Sequence, residues 1–294
     1  MSTYHKCIFT IVAVISFSTA TMSQTAFDLQ GHRGCRGLMP ENTIPAFLKA
    51  TELGVTTLEM DIVVSADQQL VVSHEPWMSH QICLHPDGTP VSKAEEKKLN
   101  LYKMPYAEIA KYDCGMRVHP KFKEQEKIKA TKPTLEMVVT VVKKMVADSN
   151  LAQPRYNIEI KSVPKEYTIY QPTPVDFVTM TINEIRKLGI EEITTLQSFD
   201  INVLQALSKV QDRKFKIAFL VEKGKNLKTH LEKLTFIPDI YSPSHKLVSE
   251  TMVIDCQTQG MKIIPWTVND KEDMDRLKKW GCNGVITDFP DRIR

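Results

Sequence analysis

The chain has 294 residues, 42% hydrophobic and 25% charged, with a formal net charge of +3. This composition excludes a disordered chain, and so slight a charge excludes a nucleic-acid surface. The length suits one large α/β domain or two small ones.

At the N-terminus, Lys6 precedes an apolar run, Cys7–Phe17, followed by small and polar residues, Ser18–Ser23. The run is too short to span a bilayer as a helix but suits the core of a signal peptide over residues 1–23, cut after Ala20 or Ser23. The expectation is an exported protein, periplasmic or extracellular, with no stable membrane insertion after cleavage. Cys35, Cys83, Cys114, Cys256 and Cys282 would then remain. None has the spacing of a zinc site, and an odd count leaves at least one thiol free unless it pairs between chains. Cys83–Cys114 is the pair to test as a disulfide.

Beyond the leader, β-rich runs alternate with amphipathic ones. Strands are expected at Phe27–His32, Thr56–Val64, Leu70–Ser73, Tyr156–Ile160, Ile193–Gln197, Phe215–Val221, Asp239–Tyr241, Lys262–Trp266 and Gly284–Thr287. Helices are expected at Thr43–Leu53, Thr134–Ala147, Asp176–Leu188, Asp200–Lys209 and Asp270–Trp280, with Thr43, Asp200 and Asp270 as caps. Alternation of this kind implies a parallel sheet covered by helices, and at this length a TIM (β/α)8 barrel is the natural closed solution. Nine strand-like runs are one too many. The surplus is local, because Ile62–Val64 and Leu70–Val72 flank the polar Ser65–Gln69 as a hairpin. Residues from about 79 to 132 are polar, lysine-rich and weakly periodic, and read as an insertion between an early strand and its helix. The alternating lysines and acids of Lys93–Lys98 and Lys121–Lys132 within it read as solvated faces.

The chemistry concentrates on two strands. Thr57, Glu59 and Asp61 share one face by the period-two alternation of a strand, and Asn157, Glu159 and Lys161 share a face of another. Unpaired acids inside a barrel are costly, and no comparable set of arginines stands by to neutralise these three. Three converging carboxylates are the ligand set a hard cation takes. His32 and His74 each follow an apolar strand directly, at the end of a barrel where catalytic groups cluster, and a pair there suits acid–base work. Arg33 adds a fork matched to two phosphate oxygens. His5, His80, His85, His119, His230 and His245 lack that context and read as surface or structural.

These residues lie in ordered short motifs: HRG at His32–Gly34, PENT at Pro40–Thr43, ExD at Glu59–Asp61 and the histidine of Ser73–Glu75. PTLE follows at Pro133–Glu136, NIEIK at Asn157–Lys161, QSF at Gln197–Phe199, WTVND at Trp266–Asp270 and GVITDFP at Gly284–Pro290. The chain thereby resembles glycerophosphodiester phosphodiesterases over nearly its whole length. The resemblance implies a TIM barrel that hydrolyses small-molecule glycerophosphodiesters to glycerol 3-phosphate and an alcohol. It implies His32 and His74 as the acid–base pair, and Glu59, Asp61 and Glu159 as ligands of one divalent cation, Ca2+ or Mg2+. Arg33 and Lys161 would meet the phosphate, Trp266 would wall the substrate, and Glu41 would orient the His32–Arg33 loop. The chain departs from the family where Glu75 replaces the usual Asp and where Pro76–His80 replaces the usual following residues. Two alternatives stay open: a phospholipase D-like barrel acting on lysolipids, and a non-catalytic barrel that binds a phosphorylated ligand.

Overall fold

A computed structural model describes residues 27–224 and 226–293; the signal-peptide expectation at 1–23 lies outside them. In chain order the elements begin with β1 (Asp28–Gly31), α1 (Ile44–Glu52), β2 (Thr57–Val64), β3 (Leu70–Val72), α2 (Tyr106–Ile109), α3 (Leu135–Ser149) and β4 (Arg155–Ile160). They continue with α4 (Pro174–Lys187), β5 (Thr194–Ser198), α5 (Ile201–Ser208), β6 (Lys216–Val221) and α6 (Leu227–Leu231). The last are β7 (Ile240–Pro243), α7 (Glu250–Thr258), β8 (Lys262–Ile263), α8 (Lys271–Lys279) and β9 (Gly284–Thr287).

Eight of these strands pair in parallel in the order β8-β7-β6-β5-β4-β2-β1-β9. The two edges meet through backbone bonds, Asn283 N to Ile263 O, Ile286 N to Pro265 O and Val268 N to Ile286 O, each 2.9 Å. The result is a nearly closed TIM barrel. β8 is shorter than the sequence suggests because Pro265 has no N–H for the ladder. β3 is the surplus strand: it folds back antiparallel on β2, pairing Ile62 with Val72 and Val64 with Leu70.

Strand alternation decides what each face meets. Leu58, Met60 and Ile62 of β2 and Tyr156, Ile158 and Ile160 of β4 point outward. There they join Ala46 and Phe47 of α1 and Leu135, Val138 and Val142 of α3, all fully buried. Full burial of one such side chain stabilises the fold by about 1.5–3 kcal/mol. The helix ends follow local chemistry. Thr134 accepts from Met137 N at 3.2 Å and Asp200 from Asn202 N at 2.9 Å. Thr43 and Asp270 accept no cap bond, contrary to expectation: the Thr43 hydroxyl donates to Pro40 O at 2.6 Å instead.

Between β3 and α3 the chain forms short turns and α2. Met78, Ile82, Cys83, Val91, Leu101, Ile109 and Cys114 pack together there against Val63 and Val71 of the hairpin. Cys83 and Cys114 are disulfide-bonded, while Cys35, Cys256 and Cys282 are buried free thiols. Among the described residues no helix is long and apolar enough to cross a membrane.

Candidate active site

The parallel register of β2 with β4 sets Asp61 beside Glu159 and Glu59 beside Asn157. Glu59, Asp61 and Glu159 are buried, and one oxygen from each falls within 4.8 Å of the others. So tight a set of like charges cannot titrate normally. Burial, then the Asp61 charge, raises Glu59 well above the ordinary carboxylate range. Burial also raises Glu159, partly offset by Lys161. Asp61 is also opposed by burial, yet Arg33 and other nearby cations hold it well below that range. Two cations therefore do adjoin the acids, more than the sequence suggests. Arg33 Nε lies 3.3 Å from Asp61, and Lys161 Nζ lies 2.7 Å from Glu159 and 3.7 Å from Asp61.

The loop after β1 carries the phosphate-matching fork. Gly31 and Gly34 allow it to fold tightly: a Cβ on Gly31 would lie 2.1 Å from Gly34 O, and Gly34 itself has φ +83°. Arg33 (φ 49°) and Asn42 (φ 56°) take the left-handed conformation without being glycine, a strain that surrounding bonds must hold. Asn42 N donates to Arg33 O at 3.0 Å and Asn42 Nδ2 to Asp61 at 2.8 Å. Arg33 N donates to Glu59 at 2.8 Å and its guanidinium to Glu41 at 2.7 Å. Burial works against both charges of the Arg33–Glu41 pair, but each outweighs it for the other. Arg33 is held above its ordinary range and Glu41 well below its own.

His32 Nδ1 lies 2.6 Å from Asp288 Oδ1. A carboxylate only accepts, so Nδ1 carries the proton and Nε2 is left as an acceptor, 4.0 Å from Glu59. Burial and then the Arg36 charge lower the His32 pKa to about 4 against the pull of Asp288, so the ring is neutral at pH 7. Burial opposes the charge on Asp288 in turn, but His32 and Arg36 keep it well below the ordinary range. All its side-chain partners donate: besides His32, Arg36 Nε at 2.6 Å and Asn269 Nδ2 at 2.8 Å. His74, less buried, places Nδ1 2.9 Å from Glu75, its own neighbour.

A cavity of about 290 Å³ joins these groups at the C-terminal end of the strands. His32, Arg33, Arg36, Glu59, His74, Glu159, Lys161, Gln197, Glu222 and Thr267 supply its polar lining, and Phe199, Leu220, Trp266 and Ile286 its apolar lining. Trp266 is fixed by Nε1 donating to Ser242 O at 2.9 Å and by the edge-on ring of Phe199, 5.4 Å away. Of the residues singled out from sequence, His32, His74, Arg33, Lys161, Trp266, Glu59 and Glu159 line this cavity. Asp61 and Glu41 sit behind Arg33.

Such a barrel fits the motifs, and the sequence profile described as the glycerophosphoryl diester phosphodiesterase family matches residues 32–292. The chain belongs to that family. Its relatives include a glycerophosphodiester phosphodiesterase of Caldanaerobacter subterraneus subsp. tengcongensis, 30% identical over 89% of this chain and 94% of that protein. A Silicibacter pomeroyi protein described as a glycerophosphoryl diester phosphodiesterase has a crystal structure similar at a TM-score of 0.80 and 25% identity, covering 91% of this chain and 92% of that one. An Oleispira antarctica phosphodiesterase, solved with its product sn-glycerol-3-phosphate, shares the fold at a TM-score of 0.70 and 21% identity, over 90% and 94% of the two chains.

Four residues of this family member belong to the site although sequence reasoning gave them no role. Asp288 and Gln197 lay inside quoted motifs, but their partners, His32 and Glu59, are distant in sequence. Arg36, two residues beyond HRG, bonds Asp288 and lies 3.8 Å from Glu41. His119 had no strand-end signal at all. It is buried, with Nε2 3.6 Å from Glu41 and Nδ1 accepting from Lys121 N, so the insertion braces Arg33 from behind.

Proposed function

We propose that this chain hydrolyses glycerophosphodiesters to glycerol 3-phosphate and an alcohol, with one divalent cation, Ca2+ or Mg2+, held by Glu59, Asp61 and Glu159. The observation that carries the reading is the convergence at one cavity of two histidines, two phosphate-matching cations and the acids Glu59 and Glu159, with Asp61 close beside them. The donor set fits a hard cation. It is all carboxylate oxygen, and the elevation of Glu59 by burial and Asp61 is what a bound divalent charge would relieve. When bound, the cation would supply Lewis-acid polarisation of the phosphoryl oxygen.

The chain's own residues do the rest. Arg33 and Lys161 draw the diester's anionic oxygens toward the carboxylate side, while Trp266 and Phe199 face its carbon skeleton. His32, neutral with Nε2 free, takes the proton of the attacking group, and Asp288 stabilises the imidazolium that results. That group is either a water that bonds phosphorus directly or the glycerol 2-hydroxyl, whose cyclic phosphate a water then opens to glycerol 3-phosphate. His74, with Nδ1 turned to Glu75, presents its other nitrogen to protonate the departing alkoxide. The Asp288-oriented imidazole favours hydrolysis over mere binding, since retention of a ligand needs no group held in one tautomer. The small, half-polar cavity favours a short headgroup over a lysolipid. The assay is turnover of glycerophosphocholine and of a lysolipid in chelator, then with Ca2+ or Mg2+ restored. Full activity in excess chelator would remove the cation, and no turnover on any diester would remove the reading.

Export is proposed on Lys6 and the apolar run Cys7–Phe17, and the Cys83–Cys114 disulfide accords with an oxidising compartment. The mature protein should begin at Thr21 or Gln24; recovery of the intact N-terminus from the cytoplasmic fraction would overturn it.

A further inference from the structure

Three buried amides run along the barrel axis between two carboxylates. At the floor, Gln30 Nε2 donates to Asp28 Oδ2 at 2.9 Å. In the middle, Asn157 Nδ2 donates to both Gln30 Oε1, at 2.7 Å, and Gln197 Oε1, at 3.0 Å. At the top, Gln197 Nε2 donates to Glu59 Oε1 at 2.9 Å. Gln30, Asn157 and Gln197 are each at most 2% exposed.

The direction of this chain is fixed by its ends. With a cation on Glu59 both ends are carboxylates, which only accept, so each glutamine must turn its NH2 outward to its acid and its carbonyl inward. Two inward carbonyls need a donor between them, and the single NH2 of Asn157 has two hydrogens. The cost shows on the same residue, whose Oδ1 is buried without a partner. Turning Asn157 over would face that oxygen to two carbonyls, unless both glutamines also turned and set their oxygens against Asp28 and Glu59.

We propose that Asn157 is a positioning residue for the reaction: through Gln197, it fixes which atom the amide presents to Glu59. Asn157 does not line the catalytic cavity, whereas Gln197 does. Glu59 thus receives one fixed donor on each oxygen, Gln197 on Oε1 and Arg33 N on Oε2, which locks the plane of its carboxylate. The inference rests on Glu59 being a cation ligand, and partners one bond removed from a ligand are the groups that set its orientation.

The substitution Asn157→Asp keeps the shape but replaces the forked donor with an acceptor, so both glutamines must turn their NH2 inward and Gln197 presents its oxygen to Glu59. Asn157→Ala removes the fork without reversing it. Ca2+ and Mg2+ affinities are measured by calorimetry on the full mature chain, with circular dichroism and Tm for folding. The expected order is about tenfold or more weaker binding for Asn157→Asp and a smaller loss for Asn157→Ala. A packing role predicts the opposite order, because Asp preserves the volume and Ala leaves a hole. Equal affinity in both folded variants, or the larger loss in Asn157→Ala, overturns the proposal. If Asn157→Asp does not fold, wild-type affinity in Asn157→Ala overturns it and weakened affinity supports it. Failure of the unsubstituted chain to bind either cation is a different result, and removes the cation reading itself.

Discussion

Replacing Asp288 with Asn tests the reading of His32 as a base held in one tautomer. Four donors fall on the two oxygens of Asp288: His32 Nδ1, Arg36 Nε, Arg36 Nη2 at 3.4 Å and Asn269 Nδ2. An amide can accept on one side only, so its NH2 must face at least one donor. The bond to His32 also loses its charge. A hydrogen bond to a charged group contributes about 1.5–3 kcal/mol. At 1.36 kcal/mol per factor of ten, its loss from the transition state lowers kcat by roughly 10- to 150-fold. The pH profile gives the sign. Asp288 raises the His32 pKa against burial and Arg36. Without its charge the pKa falls further, so the acidic limb of kcat against pH, where His32 must be neutral, moves down. Steady-state turnover of a glycerophosphodiester from pH 3 to 9, with saturating cation, reads both effects. A kcat within twofold of wild type, or an acidic limb that moves up, refutes the assignment.

His32→Ala and His74→Ala should each lose about 10²–10⁴-fold in kcat in the same assay, and near-normal turnover in either removes that histidine from the chemistry. Glu41→Gln leaves Arg33 buried beside a neutral partner and should cost on the order of 3 kcal/mol of stability at pH 7 by denaturant unfolding. Because Arg33 depresses the folded-state pKa of Glu41, that stability is present above the unfolded value of about 4.5 and is lost as pH falls below it. The gap between wild type and Glu41→Gln must therefore close in acid, and a gap that widens there contradicts the pairing.

Much of the barrel was legible because burial imposes period two on strands and a wider period on helices. The strand ranges agree with the structure to within a residue or two, except at β8, and the hairpin was read correctly from the polar break at Ser65–Gln69. Three helices escaped, among them α2 of only four residues. In α7 the inward residues Met252, Val253 and Cys256 are interleaved with an exposed Ile254, which blurs the stripe, and α6 is only five residues long. At the site, groups that share one strand or one loop could be placed together from sequence, as with Glu59, Asp61 and the His32–Arg33 pair. Asp288 and Gln197 could not be given roles, since what they do depends on which strands become neighbours when the sheet closes. His119 is the extreme case: a histidine in a lysine-rich stretch carries no sign that it will be buried against Glu41.

The segment between β3 and α3 packs its own apolar residues against the far end of the β2–β3 hairpin and is cross-linked by Cys83–Cys114. Its Ser79, Gln81, His119 and Lys121 line a second cavity of about 160 Å³ that shares Arg33, Arg36 and His74 with the first. The first cavity is thus built on the strands, and much of the second on a segment with its own apolar cluster and cross-link. Side chains such as Ser79, Gln81 and Lys121 can therefore change the shape and charge of the second cavity while Glu59, Asp61 and Glu159 keep their places on the strands.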